Sequence, residues 1–177
     1  GAVERHIADQ RAAVDDETLL VFTGSTAPGL SAERFGQLLD RGLEMAGIER
    51  SDAYVTNVVK HFKWVASGKR RLHQKPNARE IGACLPWLDA EIDLIRPDVL
   101  VALGATAGKA LFGKDMRVTR DHGRSLPSER APYATVTIHP SAILRSPTDQ
   151  QRHAAMEGFV EDLRKVADVL KNGERKA

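Results

Sequence analysis

Apolar positions in this chain come as short unbroken runs separated by longer stretches with helical spacing. Residues 98–104 read Asp-Val-Leu-Val-Ala-Leu-Gly, an apolar run closed by glycine. Residues 105–112 follow with helix-forming composition, so the pair reads as a strand buried on both faces feeding a helix. Residues 53–57 and 134–138 are β-rich runs of the same kind, each followed at once by polar or turn chemistry. Residues 31–46 place Phe35, Leu38, Leu39, Leu43 and Met45 at helical spacing, and residues 78–95 do the same with Ile81, Leu85, Leu88, Ile92 and Ile95. A last helix is predicted over 148–170, with Phe159, Val160, Leu163 and Val166 on it, and 171–177 reads as a frayed tail. This alternation predicts an α/β fold with a doubly wound, mostly parallel central sheet flanked by helices. No repeat or linker interrupts it, so residues 1–177 read as one domain. The least patterned part is 1–20, where 3–14 fits a helix or 2–7 a poor first strand, and the Ser25-Thr-Ala-Pro-Gly29 cluster is a loop in either case.

Composition changes this picture little, and charge distribution changes it more. A hydrophobic content of 42% in 177 residues suits one domain with a real core. The chain carries 26 Lys and Arg against 24 Asp and Glu, a sum that says little about nucleic acid. The stretch 60–79, however, contains Lys60, Lys63, Lys69, Arg70, Arg71, Lys75 and Arg79 with His61 and His73 and no acidic residue, a local positive patch. No apolar run approaches the roughly 18 residues that span a bilayer, and the start lacks a signal-peptide pattern. The expectation is a soluble, cytoplasmic protein with no membrane partner. Cys84 is the single cysteine, so neither an internal disulfide nor a cysteine-only metal site can be formed by this chain.

In open α/β sheets ligands bind beyond the carboxyl ends of the strands, which singles out the residues that close each strand run. Asn57 closes Tyr54-Val-Thr-Asn, and His139 closes Val136-Thr-Ile-His-Pro-Ser141. A carboxamide offers both a donor and an acceptor to a pyrimidine edge, so Asn57 suits base reading. An imidazole at a strand end can donate to an oxygen on which charge develops, so His139 suits stabilisation of a leaving base. Each residue taken singly also fits a cap or turn former. Lys69-Arg-Arg-Leu-His73, framed by Gly68 and Pro76, reads as a solvated basic loop or a phosphate clamp.

Taken together, these segments resemble a known family. Tyr54-Val-Thr-Asn-Val-Val-Lys-His-Phe-Lys-Trp64, Gly68-Lys-Arg-Arg-Leu-His73, Ala83-Cys-Leu-Pro-Trp-Leu88, Pro97-Asp-Val-Leu-Val-Ala-Leu-Gly-Ala-Thr-Ala107 and His139-Pro-Ser-Ala-Ile-Leu-Arg145 are similar in order and spacing to the UdgX branch of the uracil-DNA glycosylases. The family's Lys-Arg-Arg-Ile-His loop appears here with Leu72 in place of isoleucine. The resemblance implies that His73 attacks the deoxyribose C1′ and stays covalently bound to DNA, with Arg71 positioning its loop. It further implies that Asn57 reads the uracil edge, that His139 steadies the departing base with Ser141 beside it, and that Lys69 and Arg70 contact the strand. The implied substrate is uracil-containing, single-stranded DNA, and the implied state is a monomer.

The family's first motif is degraded. An ungapped reading lays Ile7-Ala-Asp-Gln-Arg-Ala-Ala-Val-Asp-Asp16 over it and reaches Val21-Phe-Thr-Gly24 in register. Asp9 and Gln10 then hold the acidic and amide positions, Phe22 is the aromatic that stacks on uracil, and Ala13 replaces an aspartate. The motif's glycines and proline are gone, and with them the tight turn they permit. The family also carries a [4Fe–4S] cluster, of whose ligands this chain retains at most Cys84 and His61, too few for a cubane. Two rival readings stand beside the covalent one: a hydrolytic glycosylase in which His73 assists water, and a non-catalytic single-strand DNA binder.

Overall fold

The computed structural model describes residues 19–23, 32–60, 64–67, 70–73 and 76–174. Its centre is a four-stranded parallel sheet built from β1 (Leu19–Thr23), β2 (Ala53–Asn57), β5 (Val99–Leu103) and β6 (Tyr133–Thr137), in the order β2-β1-β5-β6. The predicted fold class is therefore observed. A separate two-stranded antiparallel unit pairs β3 (Trp64–Ser67) with β4 (Arg70–His73). The helices are α1 (Ala32–Ala46), α2 (Ala78–Ile95), α3 (Gly104–Phe112), the single turn α4 (Val118–Asp121), α5 (Pro140–Leu144) and α6 (Asp149–Glu174).

The continuous apolar run of β5 is explained by burial on both faces. Val99, Val101 and Leu103 pack with Leu39, Leu43, Phe159 and Leu163 of α1 and α6. Leu100 and Ala102 join Leu88 and Ile92 of α2 and Ala107 and Leu111 of α3 on the other face. Period-two alternation thus divides one strand between two cores, which is why it carries no polar position. Where α1 crosses α6, Gly42 permits close approach: a Cβ there would stand 2.5 Å from the Phe159 ring. Helix α2 starts at a reciprocal cap, in which the Asn77 side chain accepts the Glu80 N–H at 2.9 Å and Glu80 accepts the Asn77 N–H at 2.8 Å.

Three expectations change. The first described strand is β1 at Leu19–Thr23, interior in the sheet order, a short apolar run masked in the sequence by the polar Asp15, Asp16 and Glu17 just before it; segment 3–14 lies outside the described residues. Arg70–His73 is a strand and not a loop, because Leu72 pairs with Val65 and His73 with Trp64 across an antiparallel ladder, leaving only residues 68–69 between the strands. The final helix runs on to Glu174, so most of the tail read as frayed continues the helix, with Val169 and Leu170 packed against the core.

Candidate functional site at the strand carboxyl ends

The register aligns Asn57, Thr23, Leu103 and Thr137 across the sheet, so one row of residues marks the carboxyl edge of all four strands. Helix connections leave β1 and β5 toward opposite sides, which makes the β1/β5 junction the switch point where such sheets open a crevice. Gly104 leaves β5 there with φ +81°, and its missing side chain matters: a Cβ would lie 2.9 Å from His139 Cβ. Glycine at 104 thus lets the chain after β6 fold over the end of β5.

His139 stands two residues past β6, and its local geometry comes from the Pro140-Ser141 sequence that follows. Its backbone is extended (φ −76°, ψ 135°), Pro140 opens α5 with its fixed φ, and Nδ1 accepts the Ser141 N–H at 3.1 Å. Ser141 Oγ is 2.7 Å from the same nitrogen. Because Nδ1 accepts an amide hydrogen, the neutral ring carries its proton on Nε2, the tautomer that can donate to a developing oxyanion. The cap reading and the site reading of this histidine are therefore compatible: the cap fixes the tautomer. Phe35, at the start of α1, stacks on the ring with centroids 5.0 Å apart and planes 22° apart. The sequence pattern assigned Phe35 to the core alone; its position in the first turn of α1, the helix that follows β1 in the chain, was the signal that could have marked it.

Asn57 is the exposed last residue of β2. It shares the carboxyl edge with His139 but not one corner of it, since β1 and β5 lie between their strands, roughly 14 Å of sheet at about 4.8 Å per strand step. A site using both must span the crevice. Lys60 leaves the basic patch on structural grounds: its ammonium donates to Glu91 Oε2 at 2.5 Å and to Thr56 Oγ1 at 2.7 Å. Arg79 is exposed in the first turn of α2.

The other predicted positions are described only in part. Phe22 sits in β1 opposite Thr56 and Ala102. Arg70, Arg71 and His73 lie on β4 through their backbone pairing. Asp9, Gln10, His61 and Lys69 fall outside the described residues. Cys84 is buried in α2 at 2% exposure, and no group of three or more His, Cys, Asp or Glu side chains gathers among the described residues. With one cysteine in 177 residues, the residues present do not supply the four ligands of a [4Fe–4S] cluster.

A hollow of about 900 Å³ is lined by Asp93, Arg96, Asp98, Glu129 and Arg130, but these residues flank the amino ends of β5 and β6, opposite the edge just described. It is an open, charged recess with no relation to the crevice. No helix among the described residues is long and apolar enough to cross a membrane.

Comparison with known proteins agrees with the sheet. The family described as "Uracil DNA glycosylase superfamily" matches residues 7–164, a span that begins where the degraded first motif was aligned. A Type-4 uracil-DNA glycosylase of Thermotoga maritima is 32% identical over 164 residues, covering 88% of this chain and 79% of the relative. One from Archaeoglobus fulgidus is 29% identical over 170 residues, covering 88% and 78%. One from Pyrobaculum aerophilum is 32% identical over 136 residues, covering 68% and 66%.

Proposed function

Because the chain belongs to the uracil DNA glycosylase superfamily, we propose that it excises uracil from single-stranded DNA and, as a UdgX-type member, remains joined to the abasic sugar through His73. The single observation that best supports excision is the His139 geometry, an imidazole whose Nδ1 accepts the Ser141 amide hydrogen, so that the neutral ring carries its proton on Nε2, the nitrogen that can donate to a leaving base. The covalent arm rests on the Lys69-Arg70-Arg71-Leu72-His73 sequence.

In this reading the target nucleotide leaves the base stack. Uracil enters the crevice between Asn57, whose carboxamide pairs with its edge, and His139, with Phe22 stacking on its face and Lys69 and Arg70 holding phosphates. The C1′–N1 bond breaks with its electron pair going to uracil, and His139 donates a hydrogen bond to the oxygen that gains charge. The cationic sugar is captured by the lone pair of the His73 imidazole, a competent neutral nucleophile near pH 7, and the ring's N–H proton passes to solvent. Arg71 positions the β4 segment. Asp9 and Gln10 hold any water that competes with His73. The whole of 1–177 acts as one domain, a monomer, in the cytoplasm.

A hydrolytic enzyme is the second reading, in line with the relatives being Type-4 uracil-DNA glycosylases. One experiment separates the two. The protein is incubated with a uracil-containing oligonucleotide, run on a denaturing gel and digested for mass spectrometry. A DNA-linked band with the adduct on His73 is expected. Free uracil with no retained band establishes hydrolysis, and an adduct on Lys69, His61 or His139 refutes the role of His73. Equal affinity for thymine and uracil strands, without release of base, establishes a non-catalytic binder.

A further inference from the structure

Beneath the edge strand that ends in Asn57 lies a closed polar triangle that the excision chemistry does not use. Glu91, on α2, is buried, and its Oε2 accepts both the Lys60 ammonium at 2.5 Å and the Thr56 hydroxyl at 3.1 Å. Lys60 also donates to Thr56 Oγ1 at 2.7 Å. Thr56 and Lys60 flank Asn57 in sequence, so the segment 56–60 is drawn into a ring and pinned to one carboxylate oxygen. Val58, inside that ring, is fully buried in the α2–α3 core. Asn57 alone of these neighbours is exposed. Tyr54, one pleat further back on the same face as Thr56, has its phenol pushed up by burial and then by the nearby Glu91 carboxylate.

We infer that Glu91, acting through Lys60 and Thr56, is a positioning residue that sets where the Asn57 carboxamide stands. The inference rests on the reading of Asn57 as the group that meets the uracil edge. Among the described residues β2 is an edge strand, paired with β1 through Asn57, and the chain leaves the strand immediately afterwards. A ladder alone leaves the exit direction free; two side-chain anchors on either side of the residue remove that freedom. A base-reading amide has to be held to within fractions of an ångström, and misplacement by about 1 Å costs on the order of 100-fold in rate.

A merely structural ion pair behaves differently. Replacing a largely buried pair with apolar residues of similar size is often neutral or stabilising, so Lys60→Met with Glu91→Leu is expected to keep the fold. If the triangle positions Asn57, this double variant and the single Glu91→Gln variant both lose uracil release in single-turnover measurements by about 10- to 100-fold. Affinity for a thymine-containing strand stays at the wild-type value in both. The Asn57 side-chain amide resonances, identified by their disappearance in Asn57→Ala, shift or broaden in the variants. Arg130→Gln, which removes the 2.8 Å ion pair from Arg130 to Asp89 on the same helix, changes neither readout. A folded double variant that releases uracil at the wild-type rate, or Asn57 amide signals that do not move, overturns the inference. If Asn57→Ala itself leaves uracil selectivity intact, it is the base-reading assignment that fails, and the amide signals still report whether Glu91 positions the residue.

Discussion

Replacing Gly104 with alanine tests the link between sheet and site. Two separate penalties are expected. At φ +81° a residue with a Cβ carries roughly 1–2 kcal/mol of backbone strain. The new methyl group would also stand 2.9 Å from His139 Cβ and 3.6 Å from its Cγ, where carbon pairs prefer about 3.5–4.0 Å, so His139 must retreat by roughly half an ångström or more. With about 2–4 °C of melting temperature per kcal/mol in a domain of this size, a total near 2 kcal/mol lowers the melting point by about 4–8 °C. The displaced imidazole should slow uracil release by tenfold or more, on the scale of about 100-fold per ångström of misplacement. Gly113→Ala provides the comparison. Gly113 has φ +93° with no atom within 4 Å of an added Cβ, so it bears the backbone strain without touching the site. Thermal unfolding by circular dichroism and single-turnover uracil release are measured on both. Gly113→Ala should lose stability of the same order and keep its rate. If Gly104→Ala also melted lower but released uracil as fast as the wild type, the role given to the Gly104–His139 contact in forming the site would be wrong.

Asn57→Ala should reduce the ratio of affinities for uracil and thymine strands while leaving general DNA binding nearly intact, and neutralising Lys69 and Arg70 should do the reverse and flatten the salt dependence. Competition binding at two ionic strengths checks both. His73→Ser should abolish the denaturant-resistant complex; the variant then turns over, releasing uracil, if Asp9 and Gln10 hold a water, and a retained covalent band would remove His73 from the mechanism. Acid stability depends on Asp121, whose carboxyl is held down to about 2 by the Arg120 guanidinium and then by the Arg117 amide, against an ordinary 3.8. A depressed folded pKa means that its contribution is complete above pH 3.8 and lost as pH falls toward 2. Asp121→Asn should therefore be less stable than wild type at pH 6 and converge with it near pH 2 in urea titrations.

Much of this protein follows from local pattern. The unbroken Val99–Leu103 run announces a strand buried on both faces, because only a sheet covered by helices on both sides removes every polar position from a strand. The helical spacing of 78–95 and of the last helix survives because each buries one stripe, Leu88 and Ile92 in one case and Phe159, Leu163 and Val166 in the other. Asn57 and His139 were legible as strand-end residues for the same reason. Other features were decided by tertiary structure alone. A strand as short as Leu19–Thr23 becomes central only once β2 and β5 pair on either side of it, and no local signal encodes which strands are neighbours. The basic stretch reads as uniform in one dimension, yet Lys60 is taken inward by Glu91, 31 residues away, and the Arg70–His73 segment becomes a strand because Trp64–Ser67 offers it a ladder. Phe35 looked like one more core position until folding laid it against His139. In each of these cases the deciding partner is distant in sequence, and contacts of that kind are fixed by the packing of the whole chain.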